Sequence, residues 1–233
     1  DLWIRAADQG RLPSPQSIDR ARRDVGAERI RVIGNRQVEL PTPGMSIDLG
    51  GIAKGWALDR LAEDLAQRDV GAALLNFGES SVWAIGQPQG EAGWRLALRA
   101  PGSGLAGVPT LRNRALSVSS GLEQGSEIEG RRYGHVVNPM SGQALLRLVQ
   151  VAVVATNATL AEALSTALVV QGPREGLVLV EATPGVEAFW IDAAGQRTAS
   201  RGWHGATNFE PASGVPGVQS SSSSGSSSRV RKF

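Results

Sequence analysis

The chain contains no cysteine, which excludes disulfides, thiolate nucleophiles and cysteine metal centres. An acyl anchor of the lipoprotein kind needs a cysteine, so any such anchor would have to lie outside this segment. Long apolar runs are also missing, and none approaches the ~20 residues that a membrane-spanning helix requires. The chain begins at Asp1 with neither an initiator Met nor a signal-peptide pattern. Aromatic residues make up only 5% and the formal net charge is only +2. Arg20, Arg22, Arg23, Arg29, Arg31 and Arg36 alternate with Asp19, Asp24, Glu28 and Glu39, a solvated face and not the aromatic-interleaved basic stripe of a nucleic-acid reader. Lysine and histidine are scarce, with Lys54 and Lys232 the only lysines and His135 and His204 the only histidines.

Against those absences stand 233 residues with 41% hydrophobic content, enough to bury a substantial core. The most informative stretch is Asp48-Leu49-Gly50-Gly51-Ile52-Ala53-Lys54-Gly55-Trp56-Ala57-Leu58-Asp59, a strand end and a glycine pair leading into a helix. Glycines let backbone pass close to a ligand, and a helix start presents unpaired N–H groups and partial positive charge to phosphate. With one of two lysines at the junction, the stretch reads as a phosphate-binding turn; plain helix packing is the competing reading.

Three further clusters bear chemistry. Glu162 and Thr166 lie four residues apart on a predicted helix over Thr159 to Val170, one turn apart on the same face. A carboxylate and a hydroxyl suit Mg²⁺, which prefers hard oxygen ligands, but the same pair also serves as a helix-surface hydrogen bond. His135-Val136-Val137-Asn138-Pro139-Met140-Ser141-Gly142 reads as a strand carrying His135 followed by a tight turn. His135 is the better histidine for general acid or base work, or else a structural strand residue. Asn76-Phe77-Gly78-Glu79 and Ser119-Ser120-Gly121 supply polar turns at strand ends, where ligands are often met.

The remaining pattern predicts a helix from Ser17 as N-cap over Ile18 to Val25, and a hairpin of Arg29 to Ile33 with Gln37 to Leu40. An amphipathic helix over Ala53 to Arg68 follows, carrying Leu58, Leu61, Ala62 and Leu65 opposite Asp59, Arg60, Glu63 and Asp64. Strands are predicted at 72–76, 81–85, 94–99, 115–119, 133–137, 148–155 and 187–191, with a third helix over 173–181. Strand runs interrupted by a few helices give an α+β class without internal repeats. From Ser213 onward Ser, Gly and Pro dominate and end in Arg229-Val230-Arg231-Lys232-Phe233; we expect a folded domain over 1–208 and a disordered Ser/Gly-rich tail with a basic end over 209–233.

The order DLGGIAKG, NFG, SSG, HVVNPMSG and LAEALST resembles the FAD:protein FMN transferase family, the ApbE-like flavin transferases once linked to thiamine biosynthesis. The resemblance runs from about Leu2 to Ile191. It implies a T-fold-like α+β enzyme that binds FAD and Mg²⁺, transfers FMN onto a Thr or Ser hydroxyl of a partner protein and releases AMP. It further implies FAD contacts from Asp48 and Lys54, packing on the flavin nucleotide by Val137, and ligand roles for the polar turns at Asn76, Gly78 and Ser120. For the metal it implies Gly51 through its carbonyl, Glu162 and Thr166; for catalysis, His135. The implied partners are acceptor flavoprotein subunits of membrane redox complexes, and the implied location is periplasmic or extracytoplasmic, with a lipid anchor in a missing N-terminal segment.

The chain departs from the family pattern at four positions. Glu162 stands for an aspartate, Asn138 for an aspartate, Glu79 for the second glycine of a turn, and Gly134 where a second histidine is frequent. The family's N-terminal portion is also expected to be absent. Two alternatives therefore accompany the transferase reading: a weakened FAD-binding or interaction module, and an FAD pyrophosphatase giving FMN and AMP.

Overall fold

The computed structural model describes residues 2–78, 80–102, 104–122, 124–212 and 231–232. Glu79 and most of the expected tail, residues 213–230, lie outside the described residues. In chain order the elements are α1 (Leu2–Gln9), α2 (Pro15–Arg22), β1 (Arg31–Ile33), β2 (Gln37–Glu39), α3 (Ala53–Gln67), β3 (Ala73–Phe77), β4 (Ser81–Ile85), β5 (Trp94–Arg99), β6 (Leu105–Val108), β7 (Thr110–Leu111) and β8 (Arg114–Ser120). Then come β9 (Ser126–Ile128), β10 (Arg131–Tyr133), β11 (Val149–Ala155), α4 (Ala158–Gln171), α5 (Pro173–Glu181), β12 (Glu187–Asp192), β13 (Arg197–Ala199), α6 (Trp203–Thr207), β14 (Glu210–Pro211) and β15 (Arg231–Lys232). The α+β class is as predicted. The chain divides into two compact units, one of 1–49 with 121–147 and one of 50–120 with 148–233.

The larger unit is built on a six-stranded antiparallel sheet ordered β13-β12-β11-β8-β4-β3. Helices α3 and α4 pack on one face. The opposite face meets a second sheet ordered β14-β6-β5-β15, and Val82, Leu96, Leu98, Leu116, Val154 and Phe189 fill the space between the sheets. Strand alternation explains this sorting: on β8, Leu116 faces the second sheet while Ser117 and Ser119 face α4. Folded chain continues past the expected boundary at 208. Phe209 is buried against Phe189 and Trp203, and Glu210–Pro211 pairs with β6. Arg231–Lys232 runs parallel to β5.

The smaller unit holds α1, α2, the β1-β2 hairpin and the β9-β10 hairpin. The N-cap of α2 is Ser14 and not Ser17: the Ser14 hydroxyl accepts from the Ser17 amide, and Pro15 occupies the first helical position, where its missing N–H costs nothing. The strand predicted over 133–137 also differs. β10 ends at Tyr133, and β6, β9, β13 and β14 add strands that glycine- and charge-rich sequence concealed. Among the described residues, no helix is long and apolar enough to cross a membrane.

Candidate active site

In the larger unit, α3 begins directly after the Gly50-Gly51 pair. Ile52 stands at its N-cap with no side chain able to satisfy the first amides. One of these amides is satisfied from α4. The Glu162 carboxylate accepts from the Gly55 amide through Oε2, and the Lys54 ammonium lies 2.5 Å from Oε1. Glu162 is 3% exposed, so it is no helix-surface residue, and Lys54 with its partly exposed side chain is the solvent-facing member of the pair. Lys54 balances the charge on Oε1 without a well-directed hydrogen bond, leaving that buried oxygen with accepting capacity.

The helices approach this closely because residue 55 is glycine. A Cβ there would lie 2.3 Å from the Ala158 carbonyl oxygen. One turn beyond Glu162 on α4 is Thr166, whose Oγ1 would lie 3.4 Å from a Cβ on Gly51. Gly78, after β3, points its Cβ direction at Lys54, with 3.8 Å to Cδ. Gly51, Lys54, Gly78, Glu162 and Thr166 are therefore brought together. Asn76, at the end of β3, is exposed two residues before Gly78. Under α4, Ser165 donates to the Glu162 carbonyl, which spends its only proton, so Ser117 and Ser119 must both donate to Ser165. Ser119 thus faces α4. Ser120 points to the other side of β8, where its Oγ is buried without a hydrogen-bond partner.

The donor set tests well against a small hard cation. Glu162 Oε1 has spare capacity, the Thr166 hydroxyl sits one turn along the same helix, and the Gly51 backbone abuts it. Among the described residues no group of three His, Cys, Asp or Glu forms, so a metal here would keep water or phosphate oxygens in its shell.

Asp48, Val137 and His135 belong to the smaller unit, where they line a cavity of about 710 Å³ with Leu2, Trp3 and Ile47. His135 is not on a strand as expected. It occupies a bend between β10 and Val137, which makes a single bridge to Ala144. By surface area the imidazole is exposed, at the cavity wall, yet desolvation by the surrounding protein lowers its pKa below 6.5. The turn after it forms as expected. Asn138 Oδ1 accepts from the amides of Met140 and Ser141, so the amide at this position holds the turn without a carboxylate. Gly134 also has a physical reason. A Cβ there would lie 1.9 Å from the Gly121 carbonyl oxygen, which leaves no room for histidine.

By its spacing, Asp59 belongs to the polar face of α3. The structure turns it towards α4. Its Oδ1 accepts from the Ala158 amide at 2.7 Å and from Trp83 Nε1 at 2.8 Å, and its Oδ2 from the Thr159 amide at 2.9 Å and from the Thr159 hydroxyl. The signal was present in the spacing: Gly55 and Asp59 lie one turn apart on one helix face.

Comparison with known proteins agrees with these motifs. The family model described as the ApbE family matches residues 1–190. The FAD:protein FMN transferase of Treponema pallidum is 30% identical over 208 residues, covering 82% of this chain and 57% of the relative. That of Salmonella typhimurium is 27% identical, covering 84% and 58%. The chain thus spans little more than half the length of these curated relatives. Among solved structures, the ApbE protein of Thermotoga maritima superposes with a TM-score of 0.76 at 26% identity, covering 89% of this chain and 71% of its own. The flavinyl transferase ApbE of Pseudomonas stutzeri in apo form gives 0.72 at 29%, covering 84% and 62%.

Proposed function

The chain belongs to the ApbE family, and on that footing we propose that it catalyses Mg²⁺-dependent transfer of FMN from FAD to a Thr or Ser hydroxyl of an acceptor protein, releasing AMP. The observation that carries this reading is the junction of α3 and α4, where Lys54, Glu162, Thr166 and Gly51 meet beside the Gly78 turn. It sets one partly exposed ammonium and three kinds of oxygen donor at the junction of two helices, as a pyrophosphate with its counter-ion requires.

In this mechanism Glu162, Thr166 and the Gly51 carbonyl would hold Mg²⁺, which when bound supplies positive charge to the pyrophosphate. Lys54 neutralises further phosphate charge from its solvent-facing position. Asn76 and Gly78 complete the FAD contacts of the proposal in the larger unit, and Asp48 and Val137 supply those of the smaller unit; Ser120, buried on the side of β8 away from α4, is left out of it. The acceptor hydroxyl oxygen bonds to the FMN-side phosphorus, the bond from that phosphorus to the bridging oxygen breaks, and AMP departs with the bridging oxygen. The hydroxyl proton passes to a base. His135 takes this role, and its lowered pKa keeps the imidazole neutral and able to accept at neutral pH. Acceptors would be flavoprotein subunits of membrane redox complexes, with the enzyme outside the cytoplasm.

Intact-mass spectrometry of an acceptor domain, incubated with this chain and FAD in the presence of Mg²⁺ or EDTA, tests the reading. A magnesium-dependent gain of one FMN is expected. AMP and FMN released with no gain in acceptor mass would mean that water replaces the hydroxyl, the pyrophosphatase reading. FAD bound intact under all conditions would point to a binding module.

A further inference from the structure

Two carboxylates hold the crossing of α3 and α4, and they do so reciprocally. Glu162, on α4, satisfies an amide at the start of α3, while Asp59, on α3, satisfies the Ala158 and Thr159 amides at the start of α4. Asn157 caps the next amide, that of Leu160, at 2.8 Å, so Asp59 supplies the part of the cap that its neighbour cannot reach. At the crossing itself the Gly55 backbone touches that of Ala158 with no side chain between them. Such a contact has no cushioning atoms. A rotation of α4 about it would carry Glu162, one turn further along, away from the Gly55 amide and from Lys54. Asp59 is placed to prevent that rotation, and Trp83 Nε1 fixes its carboxylate from β4, so that one side chain joins α3, α4 and the sheet.

We infer that Asp59 is a positioning residue, acting through α4 to set Glu162 against Lys54 and Gly55. The inference rests on the reading of this junction as the flavin-transfer site only for its effect on catalysis. Its geometric content is independent of FAD. Four donors converge on one carboxylate at the positive end of a helix, where replacing a single oxygen by NH₂ would set donor against donor.

The scarcity of lysine provides the test. The full 233-residue chain labelled with [¹³Cε]lysine gives signals from Lys54 and Lys232 alone, and Lys54→Arg assigns them. In Asp59→Asn the Lys54 signal should move in the direction produced by Glu162→Gln, and the double variant should move it no further than Glu162→Gln alone. Thr159→Val, which removes one of the four donors, should give a smaller shift of the same sense and covers the case in which Asp59→Asn does not fold. In the mass assay, Asp59→Asn should lower kcat about ten- to hundred-fold, in the range found for residues that orient ligands, with a smaller change in KM for FAD. An unmoved Lys54 signal in folded Asp59→Asn and Thr159→Val, or additive shifts in the double variant, would overturn the inference. Variants that show the shifts, alongside a wild-type chain that transfers no FMN, would sink the transferase reading and leave Asp59 in its positioning role.

Discussion

The Glu162 carboxylate and the Lys54 ammonium meet 2.5 Å apart, one buried and the other at the rim, although 107 residues separate Glu162 from the neighbouring Gly55 amide that it also binds. The two ends of this pair are not equivalent. Lys54→Met leaves a buried carboxylate without its counter-ion and should cost about 3 kcal/mol, the lower end for broken buried pairs because Lys54 is partly exposed. Glu162→Gln leaves a lysine that can turn to water, so its cost should be smaller. Urea unfolding of both variants checks the order, and a larger loss in Glu162→Gln would contradict it.

Gly55→Ala tests the backbone contact. The added methyl would fall 2.3 Å from the Ala158 carbonyl oxygen, and a main-chain atom cannot swing aside as a flexible side chain can. Overpacking of this kind costs about 1–3 kcal/mol, and the helices must separate to relieve it. The expected result is a lower melting temperature together with loss of FMN transfer. Wild-type transfer by a stably folded Gly55→Ala would show that the close approach is unnecessary.

His135 sets a pH dependence whose sign follows from desolvation. Its folded pKa lies below 6.5, so between that lowered value and 6.5 the unfolded chain binds more protons than the folded one. The contribution to stability is present above 6.5 and is lost as pH falls through the folded pKa. Denaturant midpoints measured across this window should fall with acid in the wild type and fall less in His135→Asn. Equal slopes in both would remove His135 as the group responsible.

Phe209 tests how far the fold extends. Its ring packs on Phe189 and Trp203 at centroid distances of 5.2 and 5.8 Å, directly before the strand that pairs with β6. Phe209→Ala should cost about 3 kcal/mol by calorimetric or urea unfolding, as for an aromatic removed from a core. A change near zero would return the boundary to residue 208.

Much of this architecture was legible from local sequence. The apolar spacing of Leu58, Leu61 and Leu65 marks α3, and Gly172-Pro173 separates α4 from α5 at the expected place. Short strands such as β6, with glycine inside and proline just after, carry no period of their own and were missed. Ser14 displaced Ser17 as a cap because Pro15 makes the better first helical residue.

The sequence by itself determined the longer helices and strands, such as α3, α4, β5 and β11, and it brought Lys54, Glu162 and Thr166 forward by residue type and spacing. Those properties depend on side-chain period and backbone preference within a few residues. Only the tertiary structure decided that Glu162 is buried and caps α3, that Asp59 turns towards α4, that Ser119 and not Ser120 faces that helix, and that Gly134 has no room for a side chain. Each of these depends on backbone or side chains brought together across a sheet or between two helices, and a pattern along the chain does not encode which distant amide a carboxylate will find.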